Sequence, residues 1–205
     1  METKTLLQTR RSVNFFDINK PLSKKTLEEI INLAVLAPSA FNLQPWRIIA
    51  VESNEAKEKL KALSNNQPKV TEAPVTLIIV GDKAGWDVSN PVWEEMLQST
   101  GNNQAMVDGA KQAAASLYGS SEERKLKFAE SNAGLLAMSI MTAAKEFGVD
   151  SHPMSGIDFE GIHQAFKLKP TETVVMTIAL GYYDEKKELY PRRPRRGYNE
   201  ITTII

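Results

Sequence analysis

From about Ser121 to Phe147 the residue pattern commits the chain to a long helix that is apolar over most of its circumference. Ala133, Leu135, Leu136, Ala137, Met138, Ile140 and Met141 spread around it, with Gly134 among them. A surface helix keeps one apolar stripe, whereas a helix like this has to be covered on all sides. Two covers are open. The helix can run through the core of one chain, or Ala133, Gly134 and Ala137 can let a helix of a second copy approach closely. It does not read as a membrane span, because the run from Ala133 to Ala144 is interrupted by Ser139 and Thr142 and is too short to cross a bilayer.

Elsewhere helix and strand signals alternate irregularly. Ser23 offers an N-cap for a helix with Leu27, Ile30, Ile31, Ala34 and Val35 on one face, stopped by Pro38. Trp46 to Val51 reads as a strand, Asn54 as the cap of a short charged helix to about Leu63, and Pro74 to Val80 as a strand ended by Gly81. Pro91 to Phe147 is helical with breaks near Gly101 and Gly119, and Gly148 closes it as the C′ residue. An extended piece at Val149 to His152, a helix from about Asp158 to Phe166 and a strand from Thr173 to Leu180, ended by Gly181, follow. Such uneven gaps between strands suit an α+β layer arrangement better than regular βαβ winding. With 205 residues and no internal repeat, a single domain over 1–205 is expected, with a helical insertion at about 86–120. The tail from Tyr190 ends in Ile201-Thr202-Thr203-Ile204-Ile205, an extended-looking end without a local partner that predicts pairing with something distant.

Composition removes several function classes. Lys plus Arg and Asp plus Glu are 25 each, so the balance calls for neither nucleic acid nor an acidic membrane. Near-neutrality also gives little repulsion between copies, which is compatible with a subunit contact. The chain has no cysteine, which excludes disulfides and thiolate chemistry, so any redox activity needs a bound cofactor. His152 and His163 are the only histidines and have no HExxH or HxH spacing, so no metal site is expected. The patterns GxSxG, GxGxxG and GxxxxGK(S/T) are absent, which argues against a serine hydrolase, a Rossmann site and a P-loop. The start Met1-Glu2-Thr3-Lys4 has no apolar signal core, and the expected location is the cytoplasm.

Three separated segments carry candidate chemistry. Arg10, Arg11 and Ser12, at the end of a first helix, offer two guanidinium groups and a hydroxyl suited to a phosphate monoester, although cations at a helix C-terminus also serve the dipole. Pro38, Ser39, Ala40, Phe41, Asn42, Leu43, Gln44 and Pro45 concentrate hydrogen-bonding groups between stiffening prolines, as a site loop or as an ordinary turn. Pro153, Met154, Ser155 and Gly156 can bring backbone donors to a ring edge, or simply cap the next helix. The cluster Arg192-Arg193-Pro194-Arg195-Arg196 suits a localised phosphate clamp better than a nucleic-acid patch, since the rest of the chain is net acidic and no aromatic stripe accompanies it. Trp93, Met96 and Tyr118 read as core packing or as the lining of an acceptor pocket.

In this order the segments resemble the nitroreductase family of FMN-dependent oxidoreductases: an Arg-x-Ser start, Ala-Pro-Ser-x-x-Asn-x-Gln-Pro-Trp over 37–46, an Ala-Pro-Val strand, Met-Ser-Gly and a late arginine segment. The resemblance implies an α+β, nitroreductase-like fold with a central, mainly antiparallel sheet flanked by helices. It also implies a homodimer through long helices, two FMN at its interface, and a domain-swapped C-terminal tail extending the partner's sheet. By position, Arg10, Arg11 and Ser12 would hold phosphate and ribityl, with Arg193 and Arg195 closing on the phosphate. Pro38, Ser39, Ala40 and Asn42 would contact the flavin of the partner chain. Asn66 or Gln67, with Lys69, would meet the pyrimidine edge, and Pro153, Met154, Ser155 and Gly156 would lie along the N5 side. Asn14 stands where many relatives carry Arg or Lys, removing one cation near the flavin.

The activity so implied is ping-pong transfer of hydride from NADH or NADPH, through FMN, to a nitroaromatic, quinone or related small-molecule acceptor. No protein acid or base is required, because the flavin carries the electrons. The alternatives are a flavin-binding sensor without efficient turnover and a specialised reductive branch of the family.

Overall fold

The structure, a computed structural model, describes residues 2–205. The chain runs α1 (Thr3–Thr9), α2 (Lys24–Ala34), a single 3₁₀ turn (Ala40–Asn42), β1 (Trp46–Val51), α3 (Asn54–Ala62), α4 (Lys69–Glu72) and β2 (Val75–Asp82). It continues through α5 (Val92–Ser99), α6 (Gln104–Tyr118), α7 (Glu122–Glu146), β3 (Asp150–Met154), α8 (Phe159–Ala165), β4 (Glu172–Gly181) and α9 (Tyr198–Ile201). The fold is α+β, built on a four-stranded sheet of order β1-β2-β4-β3 whose neighbours are all antiparallel.

The two inner strands explain their own sequences. Val75 to Gly81 of β2 are buried throughout, because both faces of the sheet are covered. On one face Leu77, Ile79, Ile178 and Leu180 pack with Ile30 and Ala34 of α2 and with Leu136 and Ile140 of α7. On the other, Ile78, Val80, Val174 and Ala179 meet Leu60 of α3, Val70 of α4 and Ile162 of α8. A sheet dry on both faces gives continuous rather than alternating apolar runs. A third cluster, around Leu43, Trp93, Val107, Ala114 and Phe128, gathers α5 and α6 against the first half of α7.

Several boundaries differ from expectation for local reasons. Ser53, not Asn54, caps α3, its hydroxyl accepting from the Ala56 amide. Gly81 does not end β2, which continues to Asp82; a Cβ at Gly81 would lie 2.8 Å from the Ala129 carbonyl oxygen, so the glycine lets the strand pass close beneath α7. β4 likewise includes Gly181, and β3 starts at Asp150 and reaches Met154. Gly148, at φ +71°, does close the long helix, which Ser121 caps by accepting from the Arg124 amide. The short helix α9 immediately precedes the end expected to be extended; Thr202 takes extended backbone angles, residues 202–205 lie in no helix or strand, and Ile204 and Ile205 are exposed.

The cover over α7 is incomplete within one chain. Ala133, Leu136, Ala137 and Ile140 are fully buried, yet Leu135 is 47% and Met138 40% exposed. Met138 borders a groove of about 470 Å³ that also takes in Leu6, Leu33, Leu36 and Pro38. Among the described residues, no helix is long and apolar enough to cross a membrane.

Candidate functional site

Both chain ends are drawn to the outer edge of β3. Ser12 forms a parallel bridge with Ser151, and the Val13 amide donates to the Ser151 carbonyl at 3.1 Å. After β4 the chain returns along the same segment. Phe16 bridges Tyr183, the Phe15 and Tyr190 rings meet edge to face at 5.8 Å, and the Arg11 guanidinium donates to the Tyr190 carbonyl. Arg192 then reaches over the end of α1 and donates to the carbonyls of Gln8 at 2.7 Å and Arg10 at 3.1 Å.

These contacts create a cavity of about 280 Å³ walled by Arg10, Arg11, Arg192, Arg193 and Arg195, with no carboxylate in its lining. Ser12, Asn14, His152 and Tyr190 complete it. Arg10 has a buried guanidinium nitrogen, Nη1, without a hydrogen-bond partner. Burial first, and then the charges of Arg192, Arg195 and Arg11, push its pKa below the ordinary arginine value. A guanidinium does not lose its proton in such a place. Its desolvated charge and unused donor instead define a site for an anion, and charge-assisted bonds to phosphate oxygens fit that donor set.

Beyond the cavity, β3 leads to a second polar group. The Gly156 carbonyl accepts from Asn65 Nδ2 at 3.0 Å and from Gln67 Nε2 at 3.3 Å, and Lys69 Nζ donates to Gln67 Oε1 at 3.4 Å. Asn65 and Asn66 both take positive φ, 51° and 53°, a conformation asparagine tolerates, and this turns the Asn65 side chain onto Gly156. Asn66 is exposed. Burial holds the Lys69 ammonium below its ordinary pKa, against the opposing charge of Glu72.

His152 links the two groups. Its Nδ1 lies 2.7 Å from the Val13 carbonyl oxygen, and since a carbonyl only accepts, Nδ1 carries the proton. Burial and then the charge of Lys69 lower its pKa, outweighing that hydrogen bond, so the ring stays neutral among cations. Nε2 is thereby left as an acceptor. Met154 turns its side chain into the second core, while Ser155 and Gly156 are exposed.

Pro38, Ser39, Ala40 and Asn42 do not line the arginine cavity of their own chain. Ser39 Oγ accepts from the Gln44 amide at 2.9 Å, and the Ala40 amide donates to Oδ1 of the buried Asn132 at 2.9 Å. Phe41, Asn42 and Gln44 all adopt positive φ, at 51°, 56° and 48°. Three such non-glycine residues within one short loop are costly and persist only where the surroundings fix them, as they do here through Asn132 and the packing of Phe41 on Trp93 and Tyr118. Ala40 instead faces a separate cavity of about 390 Å³ between α6 and α7, and Pro38 faces the apolar groove. Trp93 is core, 2% exposed, whereas Tyr118 lines the cavity that Ala40 faces.

The structure therefore brings Arg10, Arg11, Ser12, Asn14, Arg193 and Arg195 into one cavity, with Gln67, Lys69 and Gly156 as a second group along β3. Sequence reasoning passed over Asn65, weighed His152 only as a metal ligand and took Arg192 only as one of the tail cluster. His152 could have been found from its place directly before Pro153, and Arg192 from its membership of the tail cluster.

Comparison with known proteins places the chain in a family. The family model described as the nitroreductase family matches residues 7–182. MhqN of Bacillus subtilis, assigned by name to the NAD(P)H nitroreductases, is 36% identical over 196 residues, covering 95% of this chain and 93% of its own. The crystal structure of the B. subtilis nitroreductase ydfN superimposes with a TM-score of 0.91 at 33% identity, covering 98% of both chains. A nitroreductase from Exiguobacterium sibiricum, solved in complex with FMN, gives a TM-score of 0.86 at 26% identity over 100% of this chain and 98% of its own. With the family model spanning both the arginine-bearing start and the Gly156 turn, the chain belongs to the nitroreductase family.

Proposed function

We propose that this oxidoreductase is an FMN-dependent homodimer that takes hydride from NADH or NADPH and passes it to a nitroaromatic, quinone or related acceptor in alternating half-reactions. The observation that carries this reading is the arginine cavity, whose unpartnered buried Arg10 nitrogen and carboxylate-free lining fit a phosphate monoester. The FMN-bound relative supports the choice of cofactor. When bound, FMN supplies the hydride chemistry at its ring.

In this reading the chain's own residues bind and orient. Arg10, Arg11, Arg193 and Arg195 would take the phosphate, with Ser12 and Asn14 toward the ribityl chain, and Arg192 holds the tail against α1. Lys69, with Asn65, Gln67 or Asn66 beside it, would meet the pyrimidine edge, where a cation favours the anionic reduced ring. Pro153, Met154, Ser155 and Gly156 would offer backbone along the N5 side. Pro38, Ser39, Ala40 and Asn42 would approach the ring from the second copy, seated through the groove beside Met138, with the tail crossing to that copy's sheet. A single domain over 1–205, with the helical part at 86–120 completing the pocket, and a cytoplasmic setting where reduced nicotinamide is supplied belong to the same proposal.

The test is a visible spectrum of the purified, FMN-loaded protein under anaerobic conditions, followed through addition of NADH or NADPH and then of a quinone. Bleaching near 450 nm and its return with the quinone are expected. A bound flavin that neither nicotinamide reduces would favour the sensor reading instead.

A further inference from the structure

We infer that the cavity between α6 and α7 is an acceptor pocket selective for anionic molecules, with Arg124 and Lys127 as its specificity-determining cations. This rests on the proposed function, in which the Ala40 loop faces a flavin. Ala40 is the link, for it belongs to that loop and also lines the cavity.

The volume of about 390 Å³ is that of a small-molecule site. Its apolar part is aromatic: Tyr118 and Phe128 line it, their rings stacked on each other at 4.5 Å between centroids and 25° apart, a fixed aromatic edge against which a conjugated body can pack. The floor is rigid, because Asn132 is buried and spans it, accepting from the Ala40 amide and donating to the Phe128 carbonyl at 2.7 Å. Arg124 and Lys127 stand at the other side, and the lining contains no Asp or Glu. Neither cation has an ion-pair partner among the described residues. Arg124 is held over the cavity by donating from Nη1 to the Leu117 carbonyl at 3.3 Å, with its remaining donors free of protein partners. An aromatic or enone body with a carboxylate a few ångströms away would satisfy aromatic edge and cations together, whereas a neutral acceptor would engage only the edge.

The experiment compares 4-nitrobenzoate with 4-nitrobenzamide, which share shape and the reducible group but differ in charge. Because both cations are exposed, the effect is moderate and screened by salt. Wild-type FMN-loaded protein should favour the carboxylate in kcat/KM by about three- to tenfold at low ionic strength, mainly through KM. That ratio should fall to near one in the double variant Arg124→Gln/Lys127→Gln and in high salt. A wild-type ratio at or below one, or a ratio that the double variant leaves intact, would overturn the pocket assignment while leaving the reductase standing. If neither compound is reduced, turnover with the quinone decides the functional reading, and equilibrium dialysis decides the pocket alone. Tighter binding of 4-nitrobenzoate than of the amide, lost in the double variant, supports it, and equal binding rejects it.

Discussion

The interior of the sheet and its outer rim are built on opposite terms. In the interior, β2 and the second half of β4 are buried on both faces by residues of their own chain. At the rim, five arginines crowd a cavity without carboxylates, Leu135 and Met138 face outward from the second half of α7, and the last isoleucines lie exposed. The contrast separates what one chain needs in order to fold from what it needs in order to work. The interior is finished by folding, and on the proposed function the rim would be finished by a phosphate and a second copy.

The largest effect should come from the interior. Leu77→Ala removes a fully buried side chain between α7 and the sheet and should lower stability by about 2–5 kcal/mol in urea denaturation. A loss below about 1 kcal/mol would mean that the sheet centre is not the stabilising unit. Next in size, Met138→Lys should leave the isolated chain folded, since the side chain is already 40% exposed, but raise the dimer dissociation constant roughly 100-fold by placing an unpaired charge in an apolar contact. Sedimentation equilibrium measures it, and an unchanged assembly state would put the subunit contact elsewhere.

A smaller effect tests the ion pair between Arg47 of β1 and Glu172 of β4. Arg47 donates from Nε and Nη2 to the Glu172 carboxylate at 2.7 and 2.8 Å, and the Lys169 amide adds a third bond at 2.7 Å. Burial raises the Glu172 pKa, but the bonds from Arg47 and the Lys169 amide outweigh it and hold the carboxyl below its ordinary range. The stabilisation is therefore complete above the unfolded value of about 4.3 and is lost as pH falls through the depressed folded value. Arg47→Met should cost about 1–2 kcal/mol at pH 7, and the gap between variant and wild type should close toward pH 3. A gap that widens in acid would reverse the sign of this linkage.

How far the sequence disclosed all this follows the same division. The helix from Ser121, the capping serine at Ser23 and the limits of β1 were legible because periodicity and capping act within a few residues. Gly81 misled where Gly148 did not, because Gly81 answers to Ala129 on α7, nearly fifty residues away, rather than to its own turn. Arg10, Arg11 and Ser12 stood out in the sequence as one polar segment, and they do line one cavity. What was not legible is that β3 and the returning chain would set His152 and Arg192 against them, since no local pattern encodes a bridge such as Ser12 to Ser151. Asn65 rather than Asn66 meets Gly156 because two successive left-handed residues redirect the side chain.

The central claim is that arginines from both chain ends hold a flavin by its phosphate. Fluorescence titration of the apoprotein with FMN and with riboflavin, which differ only in that phosphate, tests it most directly. Wild-type protein should bind FMN at least about 30-fold more tightly than riboflavin, and Arg10→Ala should remove most of that difference without lowering stability, because Arg10 is a desolvated charge among like charges. Equal affinity for the two flavins, or a preference for FMN that survives Arg10→Ala, would contradict it.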